Sequence, residues 1–567
     1  MNVRELDPSR WTLVEALRLQ AQRLGDQEFL RFVDPERPGT EGDISLSFAG
    51  LDTQSDLVAA RLADLGVGPG DRVLALAGNS AAFVVAMLAT HKRRAIFTPV
   101  NTELIGAFLE HQVRNAEPKV VFVDAALASS FDGVNTSGLA VVRVVVIESA
   151  DPADPADPAY PALPPSLAAF PVIGWEELLA GAAADPAFVL QPEPADICTI
   201  MFTSGTTGPS KGVLLPQAHC FLFAKGAADA VALQEGVDRY FVCMPFFHAN
   251  ALLMQVFACL VAGTPATVVK RFSVSSWLEQ LIECGATATN ALGVMPEFIF
   301  RQPPDPRDRA HQVTRIMAVP IAEDWGAAFE DRFGVRLIQG YGMTEINMVA
   351  YSDPADPVMA GCAGRVLEDF FEVIVADPET DLPLPVGQSG EILVRPRQPF
   401  CFNQGYFRMP DKTVEAYRNL WFHTGDAGRF DDGGRLFFID RLKDRIRRRG
   451  ENISSYEIEQ VLNEHPAVLE SAAVGIRVAG AGGEEEIKAV LVLHPGQAGG
   501  FDPVSLLDYC ADRMPRYAVP RFVEVVQDLD KTPSGKVRKQ GLRDRGVGPG
   551  AWDRESVGYR LKPRSRS

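Results

Sequence analysis

Residues 203–213 read T-S-G-T-T-G-P-S-K-G-V, which puts the hydroxyls of Thr203, Ser204, Thr206, Thr207 and Ser210 beside the Lys211 ammonium. Gly205, Gly208 and Gly212 let the backbone turn tightly, so that N–H groups, hydroxyls and one cation can converge on an anion. A cradle of this kind handles phosphate. It is not a Walker loop, which needs G-x-x-x-x-G-K-[ST]. The chain's single Gly-Lys pair, Gly535–Lys536, is followed by Val537 and has Asp530 where the first glycine would stand. Gly208-x-Ser210-x-Gly212 has the spacing of a hydrolase nucleophile elbow, but Pro209 and Lys211 flank the serine in a loop already crowded with glycine. The anion cradle accounts for more of the residues.

The segment resembles the phosphate-binding loop of the ANL superfamily, the adenylating enzymes that include acyl- and aryl-CoA synthetases, luciferases and peptide-synthetase adenylation domains. Further segments resemble that superfamily's later motifs in order, so the resemblance covers nearly the whole chain. It implies that Thr203, Ser204, Gly205, Thr206, Thr207, Gly208 and Lys211 hold the β- and γ-phosphates of ATP. Gln339-Gly340-Tyr341-Gly342-Met343-Thr344-Glu345 resembles the segment lining the adenine and acyl sites, with Thr344 on the α-phosphate and Glu345 on Mg²⁺. Trp421–Asp426 resembles the ribose station, where the paired oxygens of Asp426 accept from two hydroxyls. Asp440–Ile446 resembles the hinge motif, which gives Arg441 a ribose contact and makes Lys443 the pivot. Gly450-Glu451-Asn452 resembles the loop guiding the pantetheine arm of coenzyme A, and Lys531–Lys539 the C-terminal loop that carries the catalytic lysine, here Lys536.

These residue types suit the implied reaction. A carboxylate attacking the α-phosphorus of ATP brings two anions together, so cations and alignment are needed rather than a nucleophilic side chain. Glu345 with Mg²⁺, Lys211 and the hydroxyl loop would steady the pyrophosphate side, while Lys536 would bridge the carboxylate and the α-phosphate. The second half-reaction needs a thiol to reach the acyl carbonyl. Rotation about Lys443 would withdraw Lys536 and present Gly450, Glu451 and Asn452. Arg445, Arg447 and Arg449 alternate as on a strand, giving a cationic face that suits either the phosphates of coenzyme A or a solvated edge.

Pro245–Ala251 resembles the station at which an aromatic or histidine side chain gates the acyl site, and His248 is the candidate. Val294, Pro320 and Met343 join it as expected pocket residues. The segments F-H-A-N-A, Val100–Leu104 and Arg449–Ser455 resemble the carnitine/crotonobetaine-type CoA ligase branch. There is one departure. Met317-Ala318-Val319-Pro320-Ile321 stands where the family usually has a Gly-Gly-Ala-Pro-Leu type segment, which adds Cβ atoms where backbone approaches the ligand. No cationic residue stands out in the sequence as a counter-charge for an acidic substrate.

The elements that must position these groups alternate helical patterns (Leu13–Leu24, Asp52–Leu65, Ala81–Lys92) with short apolar runs (Arg72–Ala77, Val120–Val123), which predicts α/β architecture with parallel strands. Ala195–Phe202 is an apolar strand leading into the cradle. The Asp-Pro-Ala repeat between Ala150 and Ser166 predicts a solvated loop. From Gly364 to Phe438 short β-rich runs predict a small β-barrel or sheet subdomain. Beyond it, Ser454-x-x-Glu457 reads as a capping box opening a helix Tyr456–Asn463, within a compact α+β unit. The expected fold is thus α/β, with a large N-terminal domain (1–440) of two helix-flanked β-sheets plus a small β-barrel. A hinge (441–444), a small mobile α+β C-terminal lid (445–545) and a disordered tail (546–567) follow.

Composition agrees with a large cytoplasmic enzyme. At about 150 residues per domain, 567 residues make roughly four compact units. A formal net charge of −18 argues against nucleic-acid or acidic-membrane partners. Eight cysteines without a C-x-x-C pair read as reduced, and neither a signal peptide nor an apolar run long enough for a membrane span is expected. The expected partners are a small carboxylic acid and coenzyme A, with ATP and Mg²⁺ as cofactors, and a homodimer is left open. Alternatives are an adenylating ligase with an amine, a carrier-protein thiol or a small inorganic acid in place of one substrate, and a catalytically silent nucleotide-binding relative.

Overall fold

The computed structural model describes residues 2–33, 43–147, 163–180, 188–203, 209–292, 295–319, 321, 325–441, 445–448, 451–478, 485–530, 537 and 539–561. Two seven-stranded, mostly parallel sheets share one apolar core with the helices Leu13–Leu24, Phe48–Asp64, Ala81–Lys92 and Gln217–Ala230. The helix Ala81–Lys92 is buried at every position from Ala82 onward, as its nearly all-apolar sequence requires. Its terminal Lys92 is buried too, and is neutralised by Asp52 and Asp56, each 2.6 Å from Nζ. The predicted α/β alternation is therefore what forms.

The first sheet runs, edge to edge, through Val172–Gly174, Arg143–Ile147, Val120–Asp124, Arg72–Leu76, Ile96–Pro99, Ile197–Thr203 and Lys211–Pro216. All pairs are parallel except the last, a hairpin whose ladder ends with Thr203 opposite Lys211. The second sheet runs through Arg336–Ile338, Arg315–Val319, Ala288–Leu292, Tyr240–Val242, Ala266–Val269, Glu28–Val33 and Ile44–Ser47, antiparallel only at its last pair. In sheets of this kind ligands lie beyond the carboxyl ends of the strands, where Thr203 and Val319 end their strands.

A third seven-stranded sheet is antiparallel and links Gly340–Met343, Asn347–Tyr351, Cys362–Val366, Arg435–Arg441, Phe422–Phe430, Gly390–Pro396 and Phe371–Ala376. Among the described residues no ladder joins its two end strands. The β-barrel expected from the sequence thus takes the form of an open sheet.

The C-terminal unit has two cores, on either face of the sheet Val468–Arg477, Glu485–Leu493, Phe522–Val526 and Trp552–Asp553. Its last strand corrects the expected disordered tail over the described residues 546–561. Trp552 and Asp553 pair with Val523 and Phe522, and Arg521 binds Asp553 at 3.1 Å. The Tyr559 hydroxyl donates to Asp508. A sparse apolar pattern hid this segment because one aromatic residue and one ion pair suffice to dock so short a strand. The helix expected from Tyr456 runs Ser455–Asn463. Glu457 does not serve only its own helix, because its carboxylate accepts from the backbone N–H of Ser210 in the N-terminal domain, at 2.8 Å. The Asp-Pro-Ala repeat lies, up to residue 162, outside the described residues. All eight cysteines are free thiols.

Candidate active site

A cavity of about 900 Å³ opens where the two parallel sheets, the third sheet and the C-terminal unit meet. The first sheet supplies Thr203 at the end of its strand, while Lys211 holds the opposing rung. The third sheet supplies a tight hairpin in which Met343 pairs with Asn347, leaving Thr344, Glu345 and Ile346 as its turn. Gly342 is obligatory there, since a Cβ would lie 2.3 Å from the carbonyl oxygen of Asn347. Thr344 and Glu345 therefore reach the cavity from a turn that cannot drift.

Glu345 is buried, and Thr203 Oγ1 (3.1 Å) and the Tyr406 hydroxyl (3.2 Å) both donate to its Oε1. Asn403 Nδ2 fixes its backbone carbonyl at 2.7 Å. Among the described residues no cationic side chain lies within ion-pair distance of this carboxylate, so a divalent cation suits the position. No group of three or more His, Cys, Asp or Glu able to hold a metal occurs among the described residues. One carboxylate completed by phosphate oxygens is how Mg²⁺ is usually bound. The Lys211 ammonium lies 4.1 Å from the centroid of the Tyr406 ring. Tyr406 thus touches both Glu345 and Lys211, and nothing in the local sequence signals it.

Two residues expected at a ribose station are register partners on adjacent strands. Asp426 and Arg441 face each other across the third sheet, and the Tyr341 hydroxyl donates to Asp426 Oδ2 at 2.9 Å. Gly340, Tyr341, Gly342, Met343, Thr344 and Glu345 line the cavity. Gln339 does not: its side-chain amide donates to the carbonyl of Met359 at 2.8 Å and it is buried beneath the strand. Its expected role as a nucleotide contact gives way to bracing the hairpin. Behind the turn, burial holds the His219 imidazole neutral, with its pKa down to about 3.

His248 lines the cavity and its Nε2 lies 3.3 Å from Oε1 of Glu451, so the acyl gate and the expected coenzyme A loop meet. Ile453, Glu457, Tyr517 and Ala518 complete that wall from the C-terminal unit. Burial, reinforced by the nearby carboxylates of Glu451, Glu457 and Glu103, pushes the Tyr517 hydroxyl well above its usual pKa, and Asn101 Nδ2 donates to it at 3.2 Å. Burial pushes the Glu457 carboxyl up to about 7 despite the stabilising N–H of Ser210. Arg271 also lines the cavity, a cation that the sequence did not single out. Met317 and Val319 of the departed segment reach the lining, with Val319 paired to Leu292. Ser204, Gly205, Thr206, Thr207, Gly208, Val294, Pro320, Lys443, Gly450 and Lys536 lie outside the described residues, as do the side chains of Arg441 and Asn452.

Thr203, Ser210 and the buried Glu345 line one large, mostly apolar cavity together with Tyr341, which holds Asp426, an arrangement that fits a nucleotide-activating enzyme. The chain belongs to the AMP-binding enzyme family, whose model matches residues 17–407 and whose C-terminal domain model matches residues 457–536. Crotonobetaine/carnitine–CoA ligases of Salmonella heidelberg (strain SL476) and Salmonella typhi are each 28% identical to it over 500 residues, which is 88% of this chain and 93% of theirs. Among solved structures, o-succinylbenzoate CoA synthetase from Bacillus subtilis, bound with a product analogue, has the same fold. It superposes with a TM-score of 0.76 at 24% identity, covering 95% of this chain and 99% of that one. The amide bond synthetase McbA from Marinactinospora thermotolerans superposes with a TM-score of 0.74 at 25% identity, covering 93% and 99%. No helix among the described residues is long and apolar enough to cross a membrane.

Proposed function

We propose that this chain is an AMP-forming acid–thiol ligase. It converts a carboxylic acid and ATP to an acyl-adenylate and pyrophosphate, then transfers the acyl group to coenzyme A and releases AMP. The observation that carries this reading is the single cavity, which joins Thr203 and Glu345 to a deep apolar space and has Glu451 and Tyr517 of the C-terminal unit at its wall. Polyphosphate, acid and thiol each have a place around one reacting centre.

Thr203, the loop 204–208 and Lys211 hold the β- and γ-phosphates, Thr344 meets the α-phosphate, and Asp426 with Arg441 receives the ribose. Mg²⁺ at Glu345 supplies neutralisation of the pyrophosphate charge. Lys536 draws the acid's carboxylate and the α-phosphate together. In this reading a thiol attacks with Glu451 beside His248, the two being 3.3 Å apart. The adenylating stage calls for rotation about Lys443, so the segment 441–444 acts as the hinge between domains 1–440 and 445–545. A cytoplasmic location and a homodimeric state accompany this reading, the latter to be tested by size-exclusion with light scattering. The crotonobetaine/carnitine ligase relatives support coenzyme A as acceptor, while the amide bond synthetase McbA keeps an amine acceptor as the alternative.

Lys536→Ala is expected to lower acid-dependent pyrophosphate exchange at least about 100-fold while the enzyme still turns over a supplied acyl-adenylate with coenzyme A. Lys443→Pro should do the reverse, keeping exchange and abolishing thioester detected by mass. Equal loss of both half-reactions in both variants would overturn the two-stage assignment.

A further inference from the structure

Seven of the chain's twelve methionines line the one cavity. At the carboxyl edge of the second sheet it is walled by Met244, Leu292 and Val319, the turn that follows adds Phe247, and the helical layer adds Phe223 and Met254. Thioethers and aromatic rings make an apolar, polarisable wall that adapts to the shape it holds. The ionisable groups are distributed unevenly. Glu345 belongs to the phosphate end, while Glu451 and Glu457 belong to the C-terminal unit, where they engage His248 and Ser210. On the sheet edge burial holds the Cys243 thiol neutral, with its pKa pushed up to about 12, and Arg271 is the one charged side chain among the described lining residues of that edge. That charge is positive.

Asn250 places a polar donor in the apolar wall. The Tyr240 hydroxyl donates to Asn290 Oδ1. Asn290 Nδ2 then donates to Asn250 Oδ1 at 3.2 Å, and Gln255 Nε2 donates to the same oxygen at 2.8 Å. With its oxygen doubly engaged, the Asn250 amide is fixed in orientation. Its Nδ2 has Met254 Sδ, a weak acceptor, at 3.5 Å. Asn250 lines the cavity just before a stretch of π-helix, Leu252–Phe257, a local widening often found at functional sites.

We infer that the acid this enzyme activates is uncharged beyond its carboxylate, with a branched or aromatic apolar body and one hydrogen-bond acceptor that meets Asn250 Nδ2. This rests on the ligase reading and narrows it. A quaternary ammonium acid such as crotonobetaine, after which the Salmonella relatives are named, would lose its hydration against methionine and phenylalanine. Among the described residues of the sheet edge it would find no carboxylate, and Arg271 would repel it.

The test compares crotonobetaine with its carbon isostere, 5,5-dimethylhex-2-enoate, which has the same shape without the cation. In acid-dependent pyrophosphate exchange with the full chain, the isostere is expected to have a kcat/KM about 100-fold higher. A second pair, 3-(4-methoxyphenyl)propanoate and 3-(4-ethylphenyl)propanoate, differs only by the acceptor oxygen. Wild type should prefer the methoxy acid, and Asn250→Leu should cut that preference about tenfold. Both acids are read on one preparation, so a misfolded fraction cancels from the ratio. Equal or better use of crotonobetaine, or an unchanged methoxy-to-ethyl ratio in Asn250→Leu, would overturn the inference alone. Absence of exchange with every acid would instead sink the ligase reading. The same two pairs measured by calorimetric binding, with a non-hydrolysable ATP analogue present, would then still decide the substrate class.

Discussion

Tyr406 holds two charges at once. Its hydroxyl orients the Glu345 carboxylate from 3.2 Å, and its ring lies under the Lys211 ammonium, 4.1 Å from the centroid. The substitution Tyr406→Phe keeps the ring and removes the hydroxyl, so only the carboxylate should lose its orientation. The Mg²⁺ concentration giving half-maximal pyrophosphate exchange is expected to rise about 3- to 10-fold, with the KM for acid nearly fixed. Tyr406→Leu removes the ring as well and should weaken ATP binding, because a cation–π contact with a partly desolvated ammonium contributes about 1–2 kcal/mol. A Mg²⁺ titration of both variants distinguishes the hydroxyl from the ring. An unchanged Mg²⁺ requirement in Tyr406→Phe would remove Tyr406 from the metal's support.

At the scale of the element, the hairpin from Gly340 to Tyr351 is set by the absence of a side chain. A Cβ at position 342 would meet the backbone of Asn347 and Met348 at 2.3 and 2.8 Å. Backbone cannot yield as a flexible side chain would, so Gly342→Ala must part the strands and move Thr344 and Glu345 with them. A loss of about 1–3 kcal/mol of stability is expected in denaturant titrations, with adenylation falling further than stability alone accounts for. The strand Trp552–Asp553 makes a second case. Ending the chain after residue 545 would remove the carbonyl of Gly546, which accepts from buried Lys488 at 2.8 Å, together with the Arg521–Asp553 pair. Hydrogen exchange should quicken in 485–526 of the truncated protein and stay unchanged in the core between the two parallel sheets.

For the whole molecule, the join between the domains carries a titrating group. With the domains together the Glu457 carboxyl has its pKa pushed up to about 7; apart, it would return to its ordinary value of 4.5. The joined arrangement therefore binds an extra proton between those values, is favoured at low pH, and loses that advantage as pH rises through about 7. From pH 6 to 8 the equilibrium should shift about tenfold toward separated domains. Fluorescence energy transfer between dyes on the two domains would read this, and Glu457→Gln should stay joined without the pH dependence. A wild-type transfer signal that does not change between pH 6 and 8 would exclude the linkage.

Much of this was legible along the chain, because the chemistry is carried by short contiguous runs. The expected loop at 203–213, turn at Thr344–Glu345 and station at Asp426 are each read from local spacing, and helices such as Ala81–Lys92 from unbroken apolar character. The rest depended on which runs meet. Arg271 is unremarkable in sequence, and Asn250 sits in a segment read there for His248; both acquire meaning only at a shared cavity wall, while Gln339, inside a motif, turns away to Met359. Glu457 read as a helix cap because capping is a contact four residues wide, whereas its partner Ser210 lies 247 positions away. The amino-acid sequence by itself determined the family and the two kinds of sheet, since these follow from neighbours along the backbone. Only the tertiary structure decided the character of the cavity wall and the contact of Glu457 with Ser210, since both arise from groups brought together across long stretches of chain.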